Sequence, residues 1–240
     1  HEDNRKSVEK IMRFDFLDLQ HRLPGFLLKI PYEILNRMNR NTLKKSDNEL
    51  VESITFEDYL VTDNPDLILS ADRVVFPGQG AARDCMAAIS EHHLNQAILD
   101  AARSKPFLGI CMGQQVLLEF SEENGGTPLL GLYAGKVRRF PGGRGPDGAL
   151  LKIPHMGWNQ VHQTHAHPLW AEIPQDSRFY FVHSYYVDPV ESGLTAATTD
   201  FGVSFASAVA DQNLFAVQFH PEKSAGAGLR LLENFVNWAI

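Results

Sequence analysis

Two residues of this sequence carry the chemistry of a nucleophile and its base. Cys111 ends the short apolar run 107–111, with Gly109 and Gly113 on either side. A run of that length, bounded by Pro106 and by glycine, reads as a buried strand, and the residues after Gly113 read as the start of a helix. Small flanking residues suit a sharp strand-to-helix turn, where the backbone approaches its neighbours closely and thrusts the central side chain out of the sheet. The thiol is therefore expected to be presented rather than packed. A helix N-terminus beside it favours the thiolate and leaves the Met112 N–H free to hold a developing oxyanion. His220 follows a second apolar run, 214–219, and Glu222 stands two residues further on, where a carboxylate can orient the imidazole. Parallel strands of an open α/β sheet deliver such residues to one shared edge, which makes Cys111, His220 and Glu222 a nucleophile, base and orienter set.

The elements that must position these groups follow from the alternation of strand and helix signals after residue 63. Strand 73–76 ends in Pro77, Gly78, Gln79 and Gly80, a loop able to bring backbone N–H groups close to a ligand. Residues 84–103 have helical spacing, with Met86, Ile89, Leu94, Ile98 and Leu99 on the apolar side and Cys85 as a small buried residue. A polar loop at 121–127 precedes strands near 135–140 and 150–153, joined by a Gly- and Pro-rich hairpin tip at 141–148. An aromatic strand spans 179–187, and residues 200–202 turn the chain between two more. A closing amphipathic helix directs Leu229, Leu232, Phe235, Val236 and Ile240 inward. The fold class expected is α/β, a three-layer sandwich with a mostly parallel central sheet.

Residues 1–60 differ in character and form an atypical N-terminal segment ahead of a domain at 61–240. Within it, 4–16 and the basic stretch 32–45 read as helices, 26–30 as a short apolar run, and 53–62 as a strand. The 240 residues carry a net charge of −7, which argues against nucleic acid as the main partner. No apolar run reaches membrane-spanning length. Two cysteines and no signal-peptide pattern point to a reducing, cytoplasmic compartment. His162, His165 and His167 lie in a polar loop without partners to complete a ligand shell, so neither a metal nor another cofactor is expected.

The run Gly109, Ile110, Cys111, Met112, Gly113, Gln114, Gln115, with His220, Pro221 and Glu222, resembles the class I, triad-type glutamine amidotransferases over about 63–240. Within them the nearest resemblance is to the glutaminase subunits of imidazole glycerol phosphate synthase. The stretches 75–80, 154–159, 179–186 and 220–224 carry it, with Ala81, Asp84, Cys85, Met86, Gly228 and Leu229. The resemblance implies that Cys111 attacks the glutamine amide, that His220 protonates departing ammonia and then activates water, and that Glu222 holds the imidazole. It further implies oxyanion donors at Met112 and in the Gly78, Gln79, Gly80 loop, and glutamine contacts from Gln115 and from backbone groups around His183, Ser184 and Tyr185. Ammonia would pass to a (β/α)8 cyclase subunit, with Trp158, Asn159 and Lys223 near the interface. Another class I amidotransferase or hydrolase, or a catalytically silent interaction protein, are the other readings. The opening strand of that family and its loop are not visible in residues 1–60: either 26–30 or 53–62 replaces it, or this segment is foreign, rearranged or wrongly assigned.

Overall fold

The computed structural model describes residues 27–29, 60–144, 148 and 150–240. In chain order the first elements are β1 (Leu27–Lys29), β2 (Leu60–Thr62), α1 (Pro65–Ser70), β3 (Val74–Gly78), α2 (Ala82–Glu91), α3 (Asn95–Ser104), β4 (Phe107–Cys111) and α4 (Met112–Gln115). Short strands β5 (Phe120–Ser121) and β6 (Thr127–Pro128) lead to β7 (Gly135–Arg139), β8 (His155–Gln160) and β9 (His162–Gln163). Then come β10 (Arg178–His183), β11 (Tyr185–Pro189), β12 (Thr195–Asp200), β13 (Ser204–Asp211), β14 (Leu214–Val217) and α5 (Ala225–Asn237).

Three strands at the centre explain the architecture. β3, β4 and β14 run parallel, with β4 in the middle. Their side chains alternate between two cores. Val75, Leu108, Ile110, Phe215 and Val217 face the core that receives Leu231, Leu232 and Phe235 of α5. Val74, Phe76, Phe107, Leu214 and Ala216 face the core built with Ile89 of α2 and Ala97, Ile98 and Ala101 of α3. Strands buried on both faces read as continuous apolar runs, which is why these three are legible in the sequence. The layering is the expected α/β one. Among the described residues parallel pairing is confined to β3–β4–β14 and β5–β7, so the large sheet, ordered β2-β1-β3-β4-β14-β13-β11-β7-β5-β6, is mixed.

Several local expectations change. The single helix at 84–103 is two helices: His93 adopts φ +56°, and the Leu94 N–H reaches back 2.8 Å to the Ile89 carbonyl, closing α2 before buried Leu94 opens α3. The aromatic strand at 179–187 is also two, because the chain leaves one sheet and enters the other at Ser184. β10 pairs with β8 in a two-stranded sheet, whereas β11 pairs with β7 in the large one. The expected strand at 150–153 is reduced to one bridge between Leu150 and Arg144. In α5, Leu231 joins Leu232 and Phe235 inside, and Ile240 is exposed.

β1 fills the place beside β3, antiparallel to it, and β2 covers its outer side. Both candidate runs thus contribute, and part of the N-terminal segment shares the sheet of the domain that follows. The helices expected at 4–16 and 32–45 lie outside the described residues.

Candidate active site

The turn after β4 is as tight as its glycines imply. A Cβ on Gly113 would stand 1.8 Å from the Phe76 carbonyl oxygen, and one on Gly109 would stand 2.9 Å from the Ala216 Cβ. Between them Cys111 is held at φ +56°, ψ −109°, a conformation that a non-glycine residue adopts only where the surroundings impose it. The side chain is directed out of the sheet but not into open solvent. Cys111 is only 8% exposed and lines a cavity of about 330 Å3.

His220 reaches the same cavity from the end of β14, the strand beside β4. Its main chain is pinned to β10: the His220 N–H donates to the Tyr180 carbonyl at 2.9 Å, and the Ser224 hydroxyl donates to the His220 carbonyl at 2.6 Å. His220 Nδ1 lies 2.7 Å from Glu222 Oε1, with both side chains 4% exposed. Burial opposes the imidazolium. The nearby Cys111 and then the Glu222 carboxylate outweigh it and raise the His220 pKa from 6.5 to about 10. The protonated form is thus the one that the site holds, and its contribution to stability, complete below 6.5, is lost as pH rises through about 10. Glu222→Gln removes one of the causes that raise this pKa. The alkaline limb of activity on an amide substrate should then move from near 10 toward neutrality, with turnover about a hundredfold lower. An unchanged limb in a pH-rate profile would contradict the assigned role.

The other expected residues converge here as well. Gln79, Gly80, Met112, Gln115, His183, Ser184, Tyr185 and Lys223 line the cavity, and Gly78 lies against Met112, where an added Cβ would meet the Met112 Cβ at 2.8 Å. Gly80 has φ +86°, at the loop proposed to supply a second oxyanion donor. Trp158 and Asn159 are separated by the pleat of β8. Trp158 is 44% exposed, beside Tyr180, while the Asn159 amide turns inward to His155 Nε2 at 3.2 Å and the Asp200 carbonyl at 2.9 Å. Asn159 is therefore engaged within its own chain.

Sequence reading missed five contributors. Gln218 donates from Nε2 to Cys111 Sγ at 3.6 Å, and its signal was a lone polar residue inside the apolar run 214–219. Glu123 lines the cavity and accepts the Ala82 N–H at 2.7 Å; in a polar stretch with other acidic residues nothing marked it. His155 Nδ1 lies 2.9 Å from His183 Nε2, among the rings of Phe140, Phe181, Phe201 and Phe205. Pro154 and Val182 complete the wall.

Burial holds His155 and His183 neutral, lowering their pKa values from 6.5 to about 4 and about 3. As pH falls below 6.5 the unfolded chain takes up these protons before the folded one, so stability should decline from about pH 6.5 toward pH 4. Denaturant midpoints measured across that range should show the decline, and His155→Phe should flatten it. A decline equally steep in both proteins would place its origin elsewhere.

A thiol on a strand-to-helix elbow, sharing a cavity with an imidazole and carboxylate pair from the neighbouring parallel strand, is the arrangement used by enzymes with a cysteine nucleophile. The model of the family "Glutamine amidotransferase class-I" matches residues 39–238. This chain belongs to the class I glutamine amidotransferase family. It is 62% identical over 180 residues to the imidazole glycerol phosphate synthase subunit HisH of Methylococcus capsulatus, covering 74% of this chain and 83% of that one. To the subunit of the same name from Thiobacillus denitrificans it is 55% identical over 202 residues, covering 83% and 87%. Among solved structures, one described as a glutamine amidotransferase aligns at a TM-score of 0.53 and 15% identity, covering 85% of this chain and 90% of that one, which speaks for the fold.

Proposed function

We propose that this chain is the glutaminase subunit of an imidazole glycerol phosphate synthase in histidine biosynthesis, acting in the cytoplasm. The observation that carries the reading is the placement of Cys111 and the His220–Glu222 pair at the ends of adjacent parallel strands, on one cavity. Relatives named for that enzyme cover most of this chain and make it the most specific reading of that site.

In this reading Cys111 Sγ adds to the side-chain amide carbon of glutamine, and the oxygen that gains charge is held by the Met112 N–H and by a peptide of the Gly78, Gln79, Gly80 loop. His220, protonated in the resting site, gives its proton to the amide nitrogen, and ammonia leaves as the thioester forms. The neutral imidazole then takes a proton from water, the hydroxide attacks the thioester carbon, and glutamate departs with Cys111 restored. Glu222 keeps the His220 ring in place through Nδ1. Gln115 and the main chain around His183, Ser184 and Tyr185 hold the substrate, and the Glu123 carboxylate suits its α-ammonium group. The exposed Met156 and Trp158, with Lys223 at the cavity wall, provide the face toward a (β/α)8 cyclase into which ammonia passes.

Mixing the chain with such a cyclase subunit provides the test. Glutamate production should rise sharply when the acceptor ribonucleotide is added. A rate indifferent to cyclase and ribonucleotide would indicate another acceptor or a plain hydrolase. If a glutamine-analogue electrophile fails to label Cys111 in the folded, partner-bound protein, the silent interaction protein becomes the better description.

A further inference from the structure

We propose that the Gln218 side chain is a hydrogen-bond donor that orients and stabilises the Cys111 thiolate, and that Gln115, anchored on the Tyr185 main-chain oxygen, fixes the direction in which it donates. The inference rests on the reading of Cys111 as nucleophile and adds a group that touches the reacting sulfur.

The direction follows from one atom. The Tyr185 main-chain oxygen can only accept, and two side chains meet it: Gln115 Nε2 at 3.2 Å and His183 Nδ1 at 2.7 Å. Gln115 must therefore present its amino group there. The same amino group lies 2.9 Å from the Gln218 side chain, so the atom that faces it is the acceptor Oε1. Gln218 is then left with its own amino group toward Cys111 Sγ, 3.6 Å away. On the other side, His183 carries its proton on Nδ1, so its Nε2 must accept. His155 Nδ1 donates to it at 2.9 Å, and His155 Nε2 accepts from the Asn159 amide at 3.2 Å. No member can be reversed without setting two donors or two acceptors against each other.

The chain is also rigid. Gln218 and Gln115 are 0% and 4% exposed, and the Gln218 N–H is tied to the Ser207 carbonyl at 2.9 Å. His155 is stacked between Phe181 and Phe201, with ring centroids 4.7 and 4.2 Å away. A fixed N–H aimed at sulfur favours the charged form, because a hydrogen bond to an anion is stronger than one to the neutral thiol. His183 donates to the same Tyr185 oxygen and His155 holds the His183 tautomer, so the two are positioning residues for that oxygen.

The test is the pH dependence of Cys111 alkylation by iodoacetamide in the whole chain, read by intact mass. Cys85 does not interfere, since it is 2% exposed and burial, with a smaller contribution from Cys111, pushes its thiol up to about 12. Gln218→Met keeps length and volume and removes the donor. The charged and titratable groups facing Cys111 are His220 with Glu222, Lys223, Glu123, His183, the Tyr185 phenol and Cys85, and all remain in this variant. The alkylation midpoint should move upward by about one pH unit, with alkylation near pH 7 slowed about tenfold. An unchanged midpoint overturns the proposal. Nitrogen-15 spectra of the unmodified protein test the positioning of the Tyr185 oxygen: His155 and His183 should both carry the proton on Nδ1, and an Nε2 proton on His183 overturns its positioning role. Neither measurement needs glutamine or a cyclase. A failure of the glutaminase reading would appear as missing ammonia release while the alkylation midpoint still moved.

Discussion

Cys111→Ala should abolish glutamine hydrolysis, lowering turnover by at least about ten-thousandfold, while leaving the fold and the binding of a cyclase partner intact. The loss is large because the thioester path needs a sulfur nucleophile and alanine offers none. Fold and docking should survive because Cys111 sits inside the cavity, while the exposed Met156 and Trp158 lie on the outer face of β8. A second readout accompanies the first. Cys111 is the foremost of the causes that raise His220, and without it burial still pushes the imidazolium down with only Glu222 opposing. The His220 pKa should fall from about 10, and the pH window over which its charge adds stability should narrow toward 6.5 from above. Proton or nitrogen resonances of His220 would follow it. Glutaminase activity retained by the variant would remove Cys111 from the mechanism, and an unmoved His220 titration would separate the two residues electrostatically.

Gly113→Ala is expected to destabilise the protein by about 3 kcal/mol, near the upper end for overpacking, and to remove activity as well. The added methyl would lie 1.8 Å from the Phe76 carbonyl oxygen and 2.9 Å from its carbon, both backbone atoms of β3. They cannot yield cheaply, since β3 is paired with β4 from Val74 to Gly78 and Phe76 is fully buried. Relief must come from α4, which carries the Met112 N–H and follows directly on Cys111. A helix-start control is available at Gly226, where an added Cβ meets nothing within 4 Å, and Gly226→Ala should leave stability unchanged or raise it slightly. Equal denaturation midpoints for the two variants would contradict the close approach.

Between these two residues lies most of what was legible in advance. The Cys111 elbow, the delivery of His220 by a second apolar strand and the Pro77–Gly80 loop were all readable, because each depends on a local pattern: a short buried run, then glycine or proline, then a polar or reactive residue. Gln218 was not readable in the same way. Its polarity inside an apolar run was visible, but its partners Cys111, Gln115 and Ser207 come from other strands and from α4. Asn159 shows the converse. Its neighbour Trp158 faces outward, while the pleat of β8 turns Asn159 inward to His155, and only the pairing with β10 settles which alternate residues take which face.

The sequence by itself singled out Cys111, His220 and Glu222 as candidates, and gave the α/β layering and the family resemblance, because these rest on runs of residues whose burial and turn chemistry are set within a few positions of one another. Tertiary structure decided the rest. It made the sheet mixed, placed β1 antiparallel beside β3, divided the aromatic stretch between two sheets at Ser184, and built the cavity onto which the thiol is presented. It also brought Gln218 to Cys111, Glu123 to that cavity and His155 to His183. The physical reason is the reach of the forces involved: conformational preference and hydrophobic patterning act along the chain, whereas strand direction, hydrogen-bond direction and the charge state of a buried imidazole are fixed only when distant segments share the same dehydrated space.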